Sequence, residues 1–167
     1  MKKTLMTLAV ILAACVSAFA QEKGTVISRE SAIDYGVYYG NGDGRLANFG
    51  GAFIDYNFNN SNFRLRGMGG LMELPNCPFL ALDAQYLFKT VGNLYLYPTA
   101  GVYGEYHNKD TYKEKTCTGL TAGVGAEYQI SPAFGIFAEA RRQFLFNVDN
   151  RTAFNIGIIT HLGKRQR

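Results

Sequence analysis

Apolar and polar residues alternate one for one, segment after segment, between Ile33 and Leu162. A period of two marks extended chain, because successive side chains of a strand point to opposite faces. The segments fall at 31–40, 46–58, 63–74, 79–89, 94–107, 118–130, 134–146 and 152–162. Ordinary strands run about five or six residues. A tilted strand that crosses a bilayer needs about nine to eleven, which is the length seen here. The 19 Gly, 11 Tyr and 12 Phe suit strands and argue against a helical bundle. A chain 47% hydrophobic and only 18% charged is also not disordered.

The faces separate a membrane barrel from a soluble one. In the fourth segment Leu80, Leu82, Ala84, Tyr86 and Phe88 share one face, against Ala81, Asp83, Gln85 and Lys89 on the other. In the sixth, Leu120, Ala122, Val124, Ala126, Tyr128 and Ile130 oppose Thr121, Gly123, Gly125, Glu127 and Gln129. A soluble barrel hides its apolar face and covers the outside densely with charge. Here the polar face is poor in charge and rich in Gly, which suits a narrow packed interior. The expected fold is therefore all-β: an eight-stranded antiparallel up-and-down transmembrane β-barrel over residues 31–162.

The connections alternate too. Asn59–Asn62, Thr90–Asn93 and Ser131–Ala133 are built of turn residues. The opposite rim carries Asn41–Arg45, Pro75–Pro78, Asn108–Thr116 and Asn147–Arg151, the third long and charged. Short turns on one side and longer loops on the other are the outer-membrane pattern, with both ends of the chain on the short-turn side. Tyr56, Phe58, Phe63, Tyr86, Phe88, Tyr128 and Phe134 gather near the short turns, as one aromatic girdle would.

Residues 1–20 read as a secretory signal peptide: Lys2 and Lys3, an apolar core from Thr4 to Ala14, and Ala18-Phe19-Ala20 before a cut between Ala20 and Gln21. Leu12-Ala13-Ala14-Cys15 offers the rival reading of lipidation at Cys15. Residues 21–30 are a lead-in and 163–167 a basic tail. Discounting Lys2 and Lys3 from the 17 basic residues leaves 15 against 13 acidic, too even a balance for a nucleic-acid partner.

This layout resembles the small outer-membrane barrels of the OmpX and OmpA membrane-domain type, over nearly all of the mature chain. That resemblance implies an outer-membrane location, a lipid surrounding and handling by the barrel-assembly machinery. The last strand is similar to the assembly signal of such barrels at Asn155, Gly157, Thr160 and Leu162, with Leu162 where Phe is usual. A narrower likeness is to the TraO family of Bacteroides-type conjugative transposons. It rests on Gly101-Val102-Tyr103-Gly104-Glu105-Tyr106-His107-Asn108, on Val124–Tyr128 with Ile130–Phe134, and on Glu139-Ala140-Arg141. It implies a part in the mating apparatus. The other readings are an independent OmpX-like surface barrel acting through its loops, and a lipid-modifying enzyme.

Catalytic chemistry is thinly supplied. His107 and His161 lack the His-x-Ser pattern of lipid A deacylases, and Ser28, Ser31, Ser61 and Ser131 fall away from the long-loop rim where His107 and Asp110 lie. The expectation is no enzyme and no cofactor. No metal is expected either, since two His and two mature Cys show no ligand spacing along the chain. Strand parity turns Asp34, Asp55, Asp83, Glu105, Glu127 and Glu139 inward, with Arg64, Arg66 and Arg141. Eight strands leave room for side chains and little else, so these charges are expected to pair and plug the lumen. Cys77 and Cys117 are a candidate disulfide, with two thiols as the alternative. The fifth strand is expected to separate them by about 9.5 Å, beyond the usual ~7 Å for a bridge, unless the rim loops fold inward.

Overall fold

A computed structural model describes residues 33–43, 48–58, 61–72, 77–107, 116–146 and 148–162. The proposed signal peptide, Cys15, the lead-in, most of the third loop and the basic tail lie outside the described residues.

The chain forms β1 (Ile33–Gly42), β2 (Asn48–Asn57), β3 (Phe63–Met72), β4 (Cys77–Tyr86), β5 (Phe88–Lys89), β6 (Leu94–Tyr106), β7 (Thr116–Ser131), β8 (Phe134–Leu145) and β9 (Arg151–His161). Every pairing is antiparallel between barrel neighbours, and β1 with β9 together with β4 with β6 completes the ring. The result is a closed eight-stranded barrel, because β4 and β5 are one barrel strand interrupted at Leu87. Tyr86 and Leu87 stand opposite Pro98 and Tyr97, the one stretch where the ladder to β6 lapses between Gln85↔Thr99 and Phe88↔Leu96. Proline has no N–H to give a ladder. On its other side, toward β3, Leu87 N–H donates to the Asn62 carbonyl at 2.8 Å. In the turn that follows, Gly92 takes φ 65°, a conformation that favours glycine.

Several strand ends run past the sequence expectation, Asn41 and Gly42 in β1 and Arg151 in β9 among them. Cys77 and Pro78, expected in a loop, begin β4, and Thr116 and Cys117 begin β7. Ladder pairing of Met72 with Cys77 and of Tyr106 with Thr116 extends the strands past the prolines and charges that suggested loops.

Burial is inverted relative to a water-soluble protein. Leu80 is 72% exposed, Ile156 63% and Ile54 61%, while Asp55, Arg64, Arg66, Asp83 and Glu127 are 0% exposed. Apolar outside and charged inside is the arrangement that lipid stabilises. The closed ring leaves no unpaired edge for lipid to meet. Aromatics cluster on the outside near the short turns, with Tyr56 on Phe58 at 5.1 Å between ring centres, Phe63 on Tyr86 at 4.9 Å, and Tyr86 on Phe88 at 4.8 Å. The opposite end carries a second exposed set, Tyr39, Tyr106, Phe146 and Phe154. The sequence reading found one girdle; the structure has two.

The interior is less uniformly polar than expected. Tyr38, Phe49, Phe53, Met68, Phe79, Tyr103 and Phe137 pack together inside the barrel. Glycines make room for them. Phe53 lies over Gly36 of β1, and Phe137 over Gly157 of β9, where an added Cβ would come within about 2.5 Å of the ring. Covering a strand glycine with a cross-strand ring seals the gap that the missing side chain leaves.

Candidate functional site

All nine charged residues that parity turned inward lie buried in the lumen. They form two groups, one from the short-turn end to mid-barrel and one at the long-loop end.

The first group is a continuous ion-pair network. Arg66 grips Asp55 with two parallel hydrogen bonds, Nε to Oδ1 and Nη2 to Oδ2, each 2.7 Å. Its guanidinium lies 4.2 Å from the Phe53 ring centre and 4.7 Å from that of Phe137. Those are the two rings seated over Gly36 and Gly157, so the glycines position the clamp that holds Arg66. Arg64 donates to Glu127 at 2.6 Å and to Gln85 at 2.6 Å, and lies 3.3 Å from Asp55. Arg141 donates to Asp83 at 2.7 Å and to its near neighbour Glu139. Thr121 completes Asp83 with a 2.8 Å bond. Asp34 accepts from Asn57 at 2.9 Å and faces His161 Nδ1 at 3.1 Å. Arg141 thus serves Glu139 and Asp83, while Glu127 belongs to Arg64.

The second group was not foreseen as a group. Glu105 Oε2 accepts from Tyr103 at 2.7 Å and from Arg151 at 3.0 Å, and Arg151 also reaches Oε1 at 3.0 Å. His107 Nε2 lies 2.7 Å from Glu105 Oε1, and its Nδ1 lies 2.9 Å from Cys77 Sγ. Cys117 is the ladder partner of Glu105 on the next strand. One donor atom each from Glu105, His107 and Cys117 lies within 4.8 Å of the others, and all three residues are buried. Scattered along the chain with no ligand spacing, these residues converge in space from β4, from β6 with the residue that follows it, and from β7. Cys77 and Cys117 are thiols in the structure rather than the candidate bridge. They stand on β4 and β7, with β6 between them.

The sequence reading left Arg151, His107 and His161 out of the inward polar network, weighing the two histidines only for catalysis and metal binding. Both histidines carried a signal, for His107 shares strand parity with Glu105, and His161 shares it with Asn155. Arg151 carried none while it was counted as loop. Of the suggested assembly signal, Asn155 is buried in the lumen, Gly157 lies under Phe137, Thr160 is partly buried, and Leu162 is exposed.

No family model and no curated protein sequence matches this chain. Solved structures do. The N-terminal β-barrel domain of Pseudomonas aeruginosa OprF superposes with a TM-score of 0.69 at 19% identity, covering 80% of this chain and 99% of that one. The fold is that of small outer-membrane β-barrels. Ail, the attachment invasion locus protein of Yersinia pestis, matches with a TM-score of 0.57 at 20% identity, over 81% of this chain and 99% of that one. A de novo designed transmembrane β-barrel matches with a TM-score of 0.59 at 23% identity, over 80% of this chain and 98% of that one. A designed barrel among the matches makes a physical point. The architecture can be specified without any natural function, so function has to be argued from the site.

Proposed function

We propose that this protein is a non-enzymatic outer-membrane barrel that serves as a fixed, non-conducting part of an envelope assembly. The observation that carries the reading is the filled lumen. Arg64 and Arg141 are spent on carboxylates across the barrel and Arg66 on one of the neighbouring strand, and rings from five strands fill the space beside them. A barrel plugged by paired charge offers no water column for ions. Its outside meets lipid, and its working surface is then its rim. The stretches 101–108, 124–128, 130–134 and 139–141 that resemble TraO make the mating apparatus the assembly of choice.

The test is deletion in a donor strain followed by a mating assay. A fall in transfer frequency that the intact chain restores supports the reading. Unchanged transfer would sink it in favour of an independent surface barrel. Lipid A mass spectra that change on deletion would instead make the protein an enzyme. Fractionation addresses the location: the chain should sediment with outer membranes.

A further inference from the structure

We infer that Glu105, His107 and Cys117 form a zinc site inside the long-loop end of the barrel, with Cys77 holding the far nitrogen of the His107 ring. The ligand triple is already assembled, since its three donor atoms lie within 4.8 Å of one another. Nδ1 of His107 is engaged by Cys77 Sγ at 2.9 Å, which leaves Nε2 on the side of Glu105 Oε1. A ligating histidine characteristically has its second nitrogen tied to an outer partner that fixes the ring, and Cys77 takes that place here. Glu105 is fixed in turn by Tyr103 at 2.7 Å and Arg151 at 3.0 Å. Glu105 and Cys117 therefore sit on strands and His107 directly follows one, and the orientations of Glu105 and His107 are supported.

The donor set selects the ion. One carboxylate oxygen, one imidazole nitrogen and one thiolate are too mixed for Mg²⁺ or Ca²⁺, which take oxygen. A thiolate-rich set would suit Cu⁺ better. Zn²⁺ accepts all three at about 2.0–2.3 Å and leaves a fourth tetrahedral position open.

Zinc binding here would release protons, because a ligating cysteine must be a thiolate and a ligating imidazole nitrogen must present its lone pair. The Glu105 carboxylate and the Cys117 thiolate then offset the dication in a low-dielectric interior.

The experiment uses the full chain extracted from outer membranes and kept folded in detergent, with folding checked by heat-modifiable gel mobility. After dialysis with zinc, elemental analysis should find one equivalent per barrel. Cobalt in its place should give a thiolate-to-metal charge-transfer band. Cys117→Ser should abolish that band and weaken zinc binding by more than about a hundredfold, beyond what an outer partner contributes. Cys77→Ala should keep the band and weaken binding by about tenfold. Should Cys117→Ser fail to fold, wild-type alkylation serves: zinc should protect Cys117 from reagent. Three results would overturn the site: no retained metal in the folded wild type, a band that survives Cys117→Ser, or a Cys77–Cys117 disulfide in the unreduced protein.

Discussion

The two ends of the lumen solve the problem of buried charge differently. From the short turns to mid-barrel, three guanidiniums meet carboxylates in a network that Gln85, Asn57 and Thr121 help to complete. At the long-loop end, among the described residues, Arg151 meets Glu105 beside a phenol, an imidazole, two thiols and the Gln143 amide. The first region is what plugging requires. The second holds soft, adaptable groups that filling space does not require, which is why it is the better place to look for chemistry.

That comparison can be broken by mutation. Arg66→Ala should cost most, about 3–5 kcal/mol of unfolding free energy, because it leaves Asp55 buried without its two parallel bonds. Urea titration of the barrel in lipid vesicles measures it. Arg141→Ala should fall near 3 kcal/mol, since Thr121 still serves Asp83 and Gln85 still reaches Glu139. Wild type and Arg141→Ala should both be silent in planar bilayers, and a large stable conductance in wild type would refute the plug. Arg151→Ala should cost less, about 1–3 kcal/mol, because Tyr103 and His107 remain on Glu105. A loss equal to that of Arg66→Ala would erase the distinction between the ends. Arg142→Ala should be smallest, under about 1 kcal/mol. Its pair with Asp43 at 3.6 Å is 38% and 54% exposed.

Orientation sharpens the same comparison from outside the cell. Protease added to intact cells should cut between Lys109 and Lys115, in the loop beyond Tyr106, and spare the turn at 59–62. Cleavage at that turn would reverse which end faces outward.

Much of the barrel was legible because a strand has only two faces. Once Leu80 and Leu82 were assigned to the outside, Asp83 had to lie inside, and the same step placed Arg64, Arg66 and Glu127. The short turns were legible through Asn, Gly and Pro. The break at Leu87 was not, for its cause, Pro98, sits on the neighbouring strand. Loop ends at Cys77 and Cys117 were misplaced because local proline and charge outweighed ladder pairing that only a partner strand supplies.

Alternation, strand length and a polar face poor in charge together pointed to a barrel with apolar residues outward and charge inward, and parity, which follows from backbone geometry, assigned each residue its side. Which inward residues meet was decided by the tertiary structure. Closure sets the stagger between strands, and the stagger decides that Arg141 reaches across to Asp83 while Arg64 takes Glu127. It also brings Cys77, Glu105, His107 and Cys117 from three strands to one end, a meeting that no spacing along the chain encodes.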